Sequence, residues 1–199
     1  MTRKVHPIEA ESYRILRSRI DLSHLPPLSR AVAERVCHAS ADLGFADSLV
    51  LDEAALERGR AALLGGATVV CDARMAAVGI TSRDPLVPLT DPRATELAKS
   101  EGLTRTAAAM RLAAQEVGPG AVWVVGNAPT ALFELLEHPP PDPALVVGLP
   151  VGFVGAAESK DALAQSGLPA VTNRGERGGS AVAVAAVNAL VYFEPEAQP

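Results

Sequence analysis

Between Ala121 and Leu190 the chain repeats one local order three times: an apolar run, a glycine-bearing polar turn, then a helix-forming stretch. Ala121-Val122-Trp123-Val124-Val125 leads into Gly126-Asn127-Ala128-Pro129-Thr130 and then ALFELLEH. Ala144 to Leu149 leads into Pro150 to Gly155, with a helix from Ala156. Pro169 to Thr172 leads into Asn173 to Ser180 and an Ala-rich helix ending at Leu190. The strand runs are continuously apolar and do not alternate, so both faces of each strand must be covered. Such strands, joined through helices, predict a parallel sheet with helices on both sides.

The first half leads into that sheet. Residues 7–20, PIEAESYRILRSRI, read as a helix with Pro7 in its first turn. After the turn at Leu22 to Pro27 a second helix spans Leu28 to Leu43 and carries His38. Ser48 to Leu51 reads as a short strand or connector, and Asp52 as the cap of a helix stopped by Gly65-Gly66. Ala67 to Asp72 is a further buried strand. Residues 81–103, rich in Pro, Asp and Thr, read as a long loop with at most one helical turn. Thr104 caps the helix that follows, with Arg105 in its first turn. The expected fold class is α/β, a flavodoxin-like doubly wound parallel sheet with additional N-terminal helices. One domain is expected over residues 1–199, with an ordered core at about 7–190 and a flexible tail from Glu194.

Composition narrows the functions. The 199 residues are 48% apolar, enough for a core without disulfide or metal staples. The net charge of −5 argues against a general nucleic-acid or membrane-surface binder. No stretch reaches the ~20 apolar residues of a membrane span, so the expected location is cytoplasmic. Cys37 and Cys71 are the only cysteines, too few for a disulfide framework or a zinc site, and read as buried reduced thiols. No G-x-G-x-x-G, Walker A or G-x-S-x-G pattern is present, and no His/Cys/Asp/Glu cluster has metal-ligand spacing. Asp72 and Arg74 fall at a strand's carboxyl end, where open α/β sheets place ligands. Asn127, Thr130, Ser159, Lys160, Arg174, Arg177 and Ser180 follow strands in the same way. The turn at Gly126-Asn127-Ala128 offers free N–H groups at a helix start, a ready anion site. A wide cleft lined by N–H groups and cations suits a large polyanion. His38, the one histidine of four inside a regular amphipathic element, is the candidate acid, since a free imidazole titrates at about 6.5.

Longer strings sharpen this. Val36-Cys37-His38-Ala39, Cys71-Asp72-Ala73-Arg74-Met75, Gly126-Asn127-Ala128-Pro129-Thr130-Ala131-Leu132, Pro150-Val151-Gly152-Phe153-Val154-Gly155-Ala156-Ala157-Glu158-Ser159-Lys160 and Arg177-Gly178-Gly179-Ser180 occur in that order. In these strings the chain resembles the precorrin-8X methylmutases, over about residues 7–190. The resemblance implies an isomerase that moves a methyl group from C-11 to C-12 of precorrin-8X. The product is hydrogenobyrinic acid, or its cobalt-containing equivalent, in cobalamin biosynthesis. It implies His38 as catalytic residue and places Ser12, Arg17, Asp72, Thr104, Arg105, Asn127, Ser159 and Lys160 around the ligand. It also implies a homodimer. A macrocycle is large for one cleft of a small domain, so the site is expected near the subunit interface. An intramolecular rearrangement calls for no cofactor and no metal. Transient handover to the next pathway enzyme is expected; nucleic acid and membrane partners are not. Residues 81–93 take nothing from the resemblance. A non-catalytic corrinoid carrier that sequesters and hands on the product needs the same cleft and is the alternative. The two differ at His38, which a carrier needs only as a hydrogen-bond donor. A flavin protein is disfavoured by the missing phosphate fingerprints.

Overall fold

A computed structural model describes residues 6–195 of the chain. The expected flexible tail lies, beyond Pro195, outside the described residues. The N-terminal part holds α1 (Pro7–Arg19), α2 (Pro27–Ser40), the single turn α3 (Phe45–Ser48), β1 (Leu49–Leu51) and α4 (Glu53–Leu64). Then come β2 (Val69–Cys71), α5 (Arg74–Gly79), α6 (Pro92–Glu101), α7 (Arg105–Glu116), β3 (Val122–Val125) and α8 (Pro129–Glu137). The chain continues through β4 (Leu145–Gly148), α9 (Ala156–Gln165), β5 (Ala170–Asn173) and α10 (Ser180–Val191).

The five strands form one sheet in the order β1-β5-β4-β3-β2. β2 to β5 are parallel neighbours in chain order, and β1 closes one edge antiparallel to β5. Because the parallel strands advance in one direction, the order never reverses among them. Right-handed crossovers therefore put their helices on one face. That face carries α7, α8 and α9, whose Met110, Leu132, Leu135 and Leu163 pack on Val70, Trp123, Val125 and Val146. The alternate residues Cys71, Val122, Val124, Leu145 and Val147 face the opposite way, into a core shared with α2, α4 and α10. Every residue of β2, β3 and β4 is buried, which explains why their sequences show no alternation.

One stretch departs from the expected loop. Residues 92–101 form the ten-residue helix α6. Asp91 caps it by accepting from the Arg93 N–H at 2.9 Å, Pro92 occupies its first turn, and Gly102 ends it at φ +68°. Its apolar side is thin, with Ala94 alone fully buried, so periodicity concealed it while the caps did not.

Candidate active site

The His38 site is built by two helices. α2 buries Leu28, Val32, Ala33, Val36 and Cys37 against the body of the protein. Its N-terminus is tied down by Glu53 of α4, which accepts from the N–H groups of Leu28 and Ser29 at 2.8 and 2.9 Å. The positions left over, Glu34, Arg35 and His38, are spaced to share one side of the helix. α1 crosses that side and offers Glu9, Ser12, Tyr13 and Arg17 at the complementary spacing.

The contacts are specific. Ser12 Oγ lies 2.9 Å from His38 Nδ1, and the Tyr13 ring stacks on the imidazole with centroids 4.7 Å apart and planes 16° off parallel. Arg17 grips buried Glu34 with two hydrogen bonds of 2.8 and 2.7 Å. Arg35 donates to Glu9 at 3.0 Å and to the Tyr13 hydroxyl at 3.4 Å. Burial pushes the Tyr13 hydroxyl above its ordinary pKa, so it stays a neutral donor. His38 is half-buried, and no described residue bonds to its Nε2. If Nδ1 accepts from Ser12, the proton sits on Nε2, the open edge of the ring. A cavity of about 1260 Å³ is lined by Tyr13, Arg17, Glu34, Arg35, Arg60 and Tyr192 among others; Ser12 and His38 are not part of its lining.

The sheet's carboxyl end supplies a second set. Asp72, at 1% exposure, accepts from the N–H groups of Gly126, Asn127 and Ala128 at 3.2, 2.8 and 2.8 Å. Burial pushes its carboxyl up, against the downward pull of those three bonds. The anion site expected at this helix start is thus filled by the chain's own carboxylate. Gly126 serves packing here: a Cβ on it would lie 2.8 Å from Ser180 Cα, at the start of α10. Asn127 and Thr104 are exposed, and Thr104 bonds Thr130 at 2.8 Å across the α7–α8 boundary. Arg105 is exposed beside them.

Ser159 and Lys160 lie elsewhere than expected. Both are fully buried, Lys160 beneath the loop that follows β5. Ser159 Oγ donates to Ala156 O at 3.0 Å within α9. Lys160 Nζ donates to Arg177 O at 2.5 Å and Asn173 Oδ1 at 3.2 Å, and burial lowers its pKa to about 8. An ammonium placed there holds the loop and does not face a cleft. Arg177, in turn, pairs with Asp42 at 2.5 Å and donates to Gly44 O at 3.0 Å. These bonds bring the end of the His38 helix against the carboxyl side of the sheet.

Both cysteines are buried free thiols, and burial pushes Cys71 up to about 12. One possible metal group exists among the described residues, Glu134, Glu137 and His138 at the end of α8. The i, i+3, i+4 spacing of this group was missed in the sequence. Its buried member, Glu134, is already held by Arg111 and by His138. Sequence reasoning also missed Tyr13, Glu34 and Arg35. The signal was available, since Glu9, Tyr13 and Arg17 recur at helical spacing on α1.

The comparisons with known proteins agree with one another. The sequence model of the family described as Precorrin-8X methylmutase matches residues 7–193. A precorrin-8X methylmutase of Pseudomonas aeruginosa is 45% identical over 194 residues, covering 92% of this chain and 93% of its own. A cobalt-precorrin-8 methylmutase of Salmonella typhimurium is 43% identical over 202 residues, covering 96% of each. The crystal structure of a precorrin-8X methyl mutase from Thermus thermophilus superposes with a TM-score of 0.84 at 36% identity, over 92% of this chain and 93% of that one.

Proposed function

The chain belongs to the precorrin-8X methylmutase family and is an isomerase of cobalamin biosynthesis; from that premise we propose that His38 is its proton donor. The reaction is the migration of a methyl group from C-11 to C-12 of precorrin-8X, giving hydrogenobyrinic acid or its cobalt-containing equivalent. The observation that carries the proposal is the seating of one imidazole. Ser12 holds Nδ1 at 2.9 Å and Tyr13 stacks on the ring, while Nε2 has no partner among the described residues.

The step balances without an external reagent. In its imidazolium form, with Nδ1–H donating to Ser12 Oγ, His38 passes the Nε2 proton to a basic atom of the conjugated macrocycle and becomes the neutral imidazole; the charge gained by the ring draws electron density toward that atom and eases migration of the methyl group to the neighbouring carbon. The proton then returns to Nε2, so enzyme and atom count end as they began. Acid assistance of this kind supplies about 10²–10⁴-fold. Holding the ring in reactive shape supplies the remainder.

The other residues take graded parts in this reading. Ser12 sets the imidazole. Thr104, Arg105 and Asn127 are exposed at the sheet's carboxyl end and meet the polycarboxylate substrate. Asp72, Ser159 and Lys160 support the loops behind them. Arg17, already paired with Glu34, shapes the wall. A homodimer completes the site, supported by apolar side chains left open at the carboxyl ends of β2 and β4. Met75 is 69% exposed, Val78 82%, Phe153 91% and Val154 87%. Among the described residues no helix is long and apolar enough to cross a membrane. A cytoplasmic setting, with both thiols reduced, and handover of product to the next enzyme belong to the same reading.

The test is turnover of precorrin-8X followed by its visible spectrum, with wild type and His38→Ala side by side. The expected result is that the variant binds substrate and loses about 10²–10⁴-fold in kcat. Equal rates remove His38 from the chemistry. Tight product binding without turnover by either protein moves the carrier reading to the front. The same preparation is expected to sediment as a dimer; a fully active monomer sinks that part.

A further inference from the structure

One hydrogen bond does not fix an imidazole. The contact of Ser12 Oγ with His38 Nδ1 at 2.9 Å settles which nitrogen is engaged. The side chain still turns about two bonds, and a single restraint leaves the plane of the ring, and with it the direction of Nε2, free to swing. The Tyr13 ring supplies the missing restraint. It lies against the imidazole with centroids 4.7 Å apart and planes 16° off parallel. Rings stacked this closely resist tilting, because tilting one drives its edge into the other. Ser12 and Tyr13 are consecutive on α1 and point about 100° apart. They therefore straddle the imidazole, one at its nitrogen and the other on its face.

Tyr13 is itself pinned. Arg35 and His38 stand three residues apart on α2, so both are neighbours along one side of that helix. The Tyr13 ring reaches across the pair: its face rests on His38, and its hydroxyl accepts from Arg35 Nη1 at 3.4 Å. The same Nη1 donates to Glu9 at 3.0 Å. The side chains of that ion pair are only 23% and 16% exposed, so salt screens it little. The guanidinium carbon of Arg17 lies 5.8 Å from the Tyr13 ring centre. The hydroxyl is the weaker part of this bracket. Its bond is long, and Arg35 keeps Glu9 without it. The flat ring, common to tyrosine and phenylalanine, is what reaches His38.

We propose that Tyr13 is a positioning residue of the reaction: with Ser12 its ring fixes the plane of His38, and so the line along which Nε2 meets the macrocycle, while its hydroxyl is dispensable. This rests on the isomerase reading above and adds to it a residue that the family resemblance did not carry.

The experiment compares wild type, Tyr13→Phe and two flexible apolar replacements, Tyr13→Leu and Tyr13→Met. Arg14→Gln, whose side chain pairs with Glu11 on the exposed side of α1, is the control. Steady-state turnover of precorrin-8X reads kcat and KM. Proton NMR reads the C–H resonances of the His38 ring, identified by their loss in His38→Ala; the ring current of a stacked aromatic moves them upfield. Tyr13→Leu and Tyr13→Met are expected to lose about 10-fold in kcat with KM within about twofold, and to lose the upfield shift. Tyr13→Phe keeps the shift and a kcat within about twofold of wild type, and Arg14→Gln matches wild type in both. Tyr13 also lines the large cavity, so a direct contact with substrate would show in KM instead. Wild-type kcat in a folded Leu or Met variant, a loss confined to KM, or a Phe variant as slow as these overturns the role, while wild-type turnover leaves the isomerase standing. A wild type without turnover overturns the reaction and this role together.

Discussion

Two junctions of this protein looked equally functional in sequence, and the fold treats them in opposite ways. At the end of β3, Gly126, Asn127 and Ala128 point three N–H groups at one place, and Asp72 has already filled it. At the α1–α2 crossing, His38 is bonded at one nitrogen, stacked on one face and left half-exposed. The first junction is satisfied and buried, as a structural joint must be. The second is held on one side and open on the other, as a proton donor must be. A strong local motif therefore says that a group has a partner without saying whether the partner is a ligand or the chain itself.

Substitutions can break this contrast. The largest effect is expected at the open junction: His38→Ala loses its rate while its thermal midpoint stays close to wild type, since a half-exposed ring contributes little to the core. Asp72→Ala should do the reverse. It strands three N–H donors in a buried turn and is expected to destabilise by about 3 kcal/mol, lowering Tm by about 6–12 °C. A Tm unchanged in calorimetry would show that this joint is dispensable.

Lys160 supplies a pH-dependent case. Its folded pKa, about 8, lies below the ordinary lysine value of about 10.4. Between those values the unfolded chain holds a proton that the folded chain has shed, so stability rises with pH across that window. Relative to Lys160→Met, the wild type should gain about 2 kcal/mol from pH 8 to pH 10.4 in urea unfolding. A flat difference would mean that the ammonium is not desolvated. The smallest effect is expected from Ser12→Ala, which frees His38 Nδ1 but leaves the Tyr13 stack. A drop in kcat of about 3–10-fold with little change in KM is the signature of lost ring orientation. An unchanged kcat would remove Ser12 from the reaction.

Much of this architecture was readable in advance because it is local. Continuous apolar runs can only be strands covered on both faces, and the turns between them carry their own breakers. The helix at 92–101 was the exception, since its one fully buried residue, Ala94, gives almost no periodic signal. For the site, the candidate histidine was visible as the one imidazole on a regular helix, and Ser12 came through resemblance. Tyr13 went unnoticed, because stacking depends on how two helices cross.

Sequence alone therefore determined most of the element types, the family and the histidine on α2, all of which rest on near-neighbour patterns and long matching strings. The tertiary structure decided which polar groups were used up. It turned Asp72 and Lys160 inward and paired Arg17 with Glu34. The physical reason is that a charge is spent on whatever opposite charge or donor the packing brings within about 3 Å, and that partner can be far away along the chain.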